Sequence, residues 1–207
     1  MKNKTPIEPV TFANEKEWDL SYKNKWVGGQ FVVSNLSGGY HGILKQWWEF
    51  YGEHTSQWLL ISENTNVKQE FKNAYPLKEF KTLEFYEEMN SNADLQFNLC
   101  EEIPNDRIEQ FDMIVCQATF EHLYNPVTAL KNLANLLSLG GTVVIHTHVP
   151  GFQYHQYPRD YFRFFPDWFI DAEKFVGDII LKELCVVGPH IFSAYQKIEP
   201  QLNKQGS

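Results

Sequence analysis

The stretch FDMIVCQATFEHLYNPVTALKNLANLLSLGGTVVI, residues 111–145, decides the fold. Asp112-Met113-Ile114-Val115-Cys116 is a nearly unbroken apolar run, as a central parallel strand buried on both faces requires. A helix follows it. Asn125 supplies an N-cap oxygen, Pro126 takes the first helical position, where its missing N–H costs nothing, and Gly140-Gly141 is expected to end the helix. Leu130, Leu133 and Leu137 fall at i, i+3 and i+7 and give that helix one apolar face. Thr142 to Ile145 then reads as the next strand. Strand, helix and strand in this order form the unit of a wound α/β domain.

The same alternation extends outward. Upstream, Trp58 to Ser62, Lys81 to Phe85 and the shorter Asp94 to Asn98 read as strands. Downstream, residues 166–176 read as a helix, and Ile179–Val187 with Ile191–Lys197 as a hairpin turning at Gly188-Pro189. Residues 1–57 differ in texture. Trp18, Trp26, Trp47, Trp48, Phe50 and Tyr51 concentrate there, glycine pairs at 28–29 and 38–39 read as turns around a strand at Gln30–Val33, and residues 41–52 read as a helix ending at Gly52. The expected organisation is an aromatic-rich cap or lid over 1–57, one α/β domain over 58–199 and a frayed tail over 200–207.

At 207 residues the chain suits one domain with a substantial core, and 43% hydrophobic against 21% charged residues marks it as globular. A net charge of −8 argues against nucleic acid or an anionic membrane as partner. Cys100, Cys116 and Cys185 are scattered, odd in number and without a C-x-x-C pair, which fits a reducing compartment. No apolar stretch follows the charged N-terminus or reaches membrane-spanning length, so a cytoplasmic protein is expected. Oligomeric state is not legible.

The ordered set Phe111-Asp112, Glu121-His122, Asn125-Pro126 and Gly140-Gly141 resembles the second half of the class I S-adenosylmethionine (SAM)-dependent methyltransferases of the methyltransferase-11 kind. His155-x-x-Pro158-x-Asp160-Tyr161-Phe162-Arg163-Phe164 resembles a loop of a subgroup found among sugar- and natural-product-modifying methyltransferases. The resemblance spans about residues 58–197. It implies a three-layer Rossmann-like α/β fold with a mostly parallel seven-stranded sheet and a C-terminal antiparallel hairpin. It also implies SAM as cofactor and a small-molecule acceptor, such as a hydroxyl of a sugar or nucleotide-sugar.

The resemblance further assigns residues. Ser62, Glu63 and Asn64 fall where the family carries its glycine-rich cofactor loop, yet Leu60 to Asn66 contains no glycine, so Asn64 and Asn66 are expected to supply the positive-φ turn. Glu84 matches the carboxylate that accepts from both ribose hydroxyls, a geometry suited to two adjacent O–H donors. Asn98 matches the adenine contact, and Cys116 and Gln117 line the methyl-transfer side. In wound sheets ligands bind beyond the carboxyl ends of the strands, which brings His122, His146, His148 and His155 towards one crevice.

Removal of a proton from a hydroxyl acceptor suits a histidine. His155 is the expected base, oriented by Asp160, with His122 of the Glu-His pair a further catalytic residue. Tyr161, Arg163 and His148 are the expected substrate contacts, and an Arg163–Asp160 pair that merely fixes the loop is an equal alternative. The His146-x-His148 pair with His155 and Asp160 raises a metal site as a rival, but H-x-H alone is thin, and no metal is expected. The glycine-less loop leaves a second reading open, a non-catalytic member of the fold serving as a binding or scaffold partner.

Overall fold

The computed structural model describes residues 40–85, 92–103, 105, 110–155 and 159–199. The Gln30–Val33 strand, Trp18, Trp26 and the tail lie outside these residues. Within them the order is α1 (Tyr40–Gly52), β1 (Gln57–Ile61), α2 (Thr65–Ala74), β2 (Glu79–Glu84), β3 (Leu95–Gln96), β4 (Phe111–Gln117), a 3-10 turn (Phe120–His122), α3 (Pro126–Leu136), β5 (Leu137–His148), α4 (Pro166–Val176), β6 (Ile179–Val187) and β7 (His190–Lys197). One seven-stranded sheet runs β3-β2-β1-β4-β5-β7-β6. β1 to β5 pair in parallel, whereas β7 pairs antiparallel with both β5 and β6.

Strand alternation sorts the core into two layers of packing. Leu59, Ile61, Ile114, Cys116, Val143 and Ile145 face Ala129, Leu130 and Leu133 of α3 and Phe169 of α4. Trp58, Leu60, Met113, Val115 and Val144 face Ile43, Leu44 and Trp47 of α1 and Phe71 of α2. Helices therefore cover both faces, and the central strands are apolar throughout because neither side meets water. α1 ends where Gly52 abuts a fully buried ring: a Cβ at that position would come within 2.1 Å of Trp58.

Two expectations are corrected. Gly140-Gly141 does not end the helix. α3 stops at Leu136, its cap N–H at Leu137 donating back to Ala134 and Leu133, and Leu137 already pairs with Phe111. The register then jumps from the Phe111–Leu137 pair to Met113–Thr142, and the glycines turn the chain through this irregularity, Gly140 at φ +82. Gly141 has no room for a side chain, since a Cβ would meet the carbonyl oxygens of Phe111 and Ser138 at 2.9 Å. Nor do Asn64 and Asn66 take positive φ. Asn64 is at φ −79 and caps α2, accepting from the N–H groups of Asn66 and Val67, while Ser62 makes the turn at φ 57.

The Phe-Asp start of β4 has a mechanical use. Oδ2 of Asp112 accepts from Ser56 N, Ser56 Oγ and Gln57 N at 3.0, 2.9 and 3.2 Å, and Oδ1 accepts from Ser138 Oγ at 3.0 Å. One carboxylate thus ties the amino ends of β1, β4 and β5. Burial pushes its pKa up, but these donors outweigh it and hold the group below the usual carboxylate range. Asp112→Ala is expected to cost about 1–2 kcal/mol, partial exposure limiting the loss; urea unfolding measures it, with the slope unchanged.

Candidate active site

The carboxyl ends of β1, β2, β4 and β5 open beside one another at the point where chain order reverses, the usual ligand crevice of a wound sheet. On the β1–β2 side, Ser62 N donates to Leu83 O at 2.8 Å and turns Glu63 towards Glu84, which is 3% exposed. Burial raises the Glu63 pKa to about 7, helped by the negative charges of Glu84 and Glu70. Two carboxylates within electrostatic range of one another, one of them buried, suit a ligand carrying positive charge. Leu60, in the family's acidic position, is fully buried core.

Asn98 is occupied by its own turn: its amide donates to Glu101 and Tyr124, and its carbonyl oxygen accepts from Cys100 N. Cys116 is fully buried, its thiol pushed far up by burial, and packs as a small apolar residue. After Gln117 the chain turns sharply at Ala118, φ 45, whose N–H donates to His146 O. That turn delivers the segment Phe120–His122 under the end of β5.

There Glu121, fully buried, becomes a meeting point. Its Oε2 accepts from Thr147 Oγ1 at 2.6 Å. Its Oε1 faces three imidazole nitrogens, His148 Nδ1 at 2.7 Å, His155 Nε2 at 3.6 Å and His122 Nε2 at 3.9 Å. Burial pushes the Glu121 carboxyl up, but the contacts with His148 and Thr147 prevail and bring it to about 2. Its backbone carbonyl accepts from Tyr161 N and Phe162 N, and Phe164 N donates to His148 O. The 159–164 loop is therefore docked by its main chain onto Glu121 and β5.

Asp160 accepts from His155 N at 2.8 Å and lies 3.4 Å from His155 Nδ1. Arg163 grips both Asp160 oxygens and donates to the carbonyls of Phe152, Gln153 and Phe162. Its guanidinium thus fixes the loop. Tyr154 and Tyr161 stand 68% and 42% exposed, whereas Phe164 is buried against Phe120, Trp168 and Phe169. Tyr157 and Pro158 lie outside the described residues.

His146 and His148 share one face of β5, as alternation requires, with rings 5.3 Å apart. His146 Nε2 meets His190 Nδ1 at 3.0 Å, and Tyr40 stacks on both rings. Burial lowers the His146 pKa to about 3 and that of His190 to about 4, with His148 adding to both shifts. The sequence reading missed His190 and Thr147, and it placed Glu121 only as half of a motif. The hairpin register, which sets His190 opposite His148, is the signal that finds the first.

With this geometry in place, comparison with known proteins is informative. Residues 70–145 match the model of a family described as "Methyltransferase domain". That match and the strand order agree on the fold of the class I SAM-dependent methyltransferases. A SAM-dependent methyltransferase from Aquifex aeolicus is 13% identical and superposes with a TM-score of 0.54, covering 75% of this chain and 89% of its own. The N-terminal domain of EvdMO1, solved in the presence of S-adenosylhomocysteine (SAH) and D-fucose, gives 14% identity, a TM-score of 0.54 and coverage of 89% and 93%. A chain from the complex between the Haloferax volcanii Trm112 methyltransferase activator and a methyltransferase gives 13%, 0.55, 77% and 92%. No curated protein sequence matches.

The raised pKa of Glu63 has a signed consequence. Between its ordinary value of 4.5 and about 7 the folded state binds more protons than the unfolded one, so stability falls as pH rises through that window. Glu63→Gln is expected to be more stable than the wild type above pH 7, by about 1–3 kcal/mol. The gain should vanish below pH 4.5 in thermal or urea unfolding series across pH.

Proposed function

We propose that the chain transfers a methyl group from SAM to a hydroxyl or similar group of a small molecule, of the sugar or nucleotide-sugar kind. The observation that carries this reading is the presence, at the strand ends of a methyltransferase fold, of the carboxylates Glu63 and Glu84 and of a histidine cluster around Glu121. SAM when bound supplies an electrophilic methyl on a positively charged sulfonium. Ser62, Glu63 and Asn64 would form the wall that holds the cofactor's charged end, Glu84 would accept from the ribose hydroxyls and Gln117 would border the methyl side, while the engaged side chain of Asn98 and the buried Cys116 leave only main chain to the adenine and methyl sides.

On the acceptor side His155, 32% exposed, reaches both the solvent and the buried carboxylate, and it takes the acceptor's proton while Asp160 sets its ring. His122 and His148 stand beside it, and Tyr161 and Arg163 complete the acceptor wall. The solved EvdMO1 domain was studied with SAH and D-fucose, which favours a sugar-like acceptor here. Because Asn64 spends its side chain on capping α2, the loop lacks the backbone approach that glycines give, and SAM affinity is expected to be weak.

Calorimetric titration should show SAM heat that disappears in Glu84→Ala; no heat at about 1 mM cofactor would sink the reading in favour of a non-catalytic scaffold. Once an acceptor is found, His155→Ala and Asp160→Asn should lower turnover roughly 10²-fold with SAM affinity intact. Early melting with normal low-temperature turnover would instead make the loop structural.

A further inference from the structure

The surroundings of Glu121 contain more than a proton acceptor requires. Glu121 Oε1 and His148 Nδ1 are buried, 2.7 Å apart, and neither has a partner with hydrogen-bond geometry. Buried polar atoms in that state are rare and call for an explanation. His155 Nε2 and His122 Nε2 approach the same oxygen. The outer nitrogens of these two rings are already directed elsewhere. His122 Nδ1 contacts the carbonyl of Arg159, which only accepts, so in the neutral ring the proton sits on Nδ1 and Nε2 turns a lone pair towards the carboxylate. His155 Nδ1 lies 3.5 Å from Arg163 Nη2 and 3.4 Å from Asp160, so its ring is held from the outside. Imidazole nitrogens and a buried carboxylate oxygen thus converge on one point, as the ligands of a cation do.

We propose that Glu121, His148 and His155 bind a divalent first-row transition cation, with His122 on its open side. Two imidazoles and one carboxylate suit zinc and leave a position for an exogenous oxygen. The outer contacts match those of metal-bound histidines, whose second nitrogen is held by a carbonyl or carboxylate, and Thr147 holds the far oxygen of Glu121 in the same way. The cation enters past His155, which is 32% exposed where Glu121 is sealed. The other trio, His146, His148 and His190, also clusters, but His146 and His190 already share a hydrogen bond. The site differs from the H-x-H set considered from the sequence because its centre is Glu121. Its use in catalysis rests on the methyl-transfer reading: the cation holds the acceptor oxygen and lowers its pKa, the proton passing to solvent base, and His155 serves as ligand in place of proton acceptor.

The full chain, stripped with chelator and dialysed, is titrated with zinc chloride by calorimetry and with cobalt chloride by visible absorption. One equivalent should bind with a dissociation constant below about 1 µM. Affinity should fall roughly 100-fold in Glu121→Gln and His155→Ala and about 10-fold in Asp160→Asn, and hold in His190→Ala. Should Glu121→Gln fail to fold, His155→Ala and Asp160→Asn decide. Folded wild type that binds no stoichiometric zinc overturns the proposal, as does binding that survives His155→Ala and is lost in His190→Ala. SAM titrated into the same samples separates the two ideas: zinc held by a protein indifferent to SAM keeps the site and removes the transfer reading, and the converse keeps the transfer and removes the site.

Discussion

The active-site half of the molecule depends on one carboxylate kept out of water. Glu121 is fully buried, and the cost of a charge there is offset by Thr147 on one oxygen, two loop N–H groups on its carbonyl and the nearby imidazoles that face the other oxygen. The turn at Ala118, the end of β5 and the 159–164 segment all meet at this residue, and Phe120 packs on Phe164 beside it.

On the opposite side of the crevice a buried carboxylate sits among others of the same sign. Glu63 and Glu84 are close enough to raise the pKa of the first, and nothing in the α/β framework forces two acids into such proximity. Strain of this kind is typical of ligand sites, where stability is given up locally to favour a complementary charge. The amino ends of the strands show the opposite arrangement, with Asp112 surrounded by donors and its pKa lowered.

Much of this architecture was legible. β1, β2, β4 and both hairpin strands announced themselves as apolar or alternating runs because the sheet buries them, and α4 matched its expected span. α2 did not, since its apolar stripe is only Val67, Phe71 and Ala74 with Phe71 alone buried, although Asn64 was present as its cap signal. β3 shrank to Leu95–Gln96 because only Leu83 and Glu84 remain for it to pair with. The glycine pair misled because a helix stop and a tight irregular turn use the same residue. At the site, the His155–Arg163 motif could be read as a unit, whereas the centrality of Glu121 could not, because burial of a carboxylate is a tertiary fact. His190 comes from a strand more than forty positions away and becomes a neighbour only through antiparallel register.

The manner in which the 159–164 loop is attached bears on how this protein can change over evolutionary time. Its docking uses main-chain groups, the N–H of Tyr161, Phe162 and Phe164 and the carbonyl of Arg159, together with the internal Asp160–Arg163 clamp. The rings of Tyr161 and Phe162 take no part in that attachment and project outward. On the proposed reading, anchoring and recognition are carried by different atoms of the same residues, so drift at these two positions can reshape which molecules the crevice admits while the loop stays in place, and a lineage can diversify its acceptors without first passing through an unfolded intermediate.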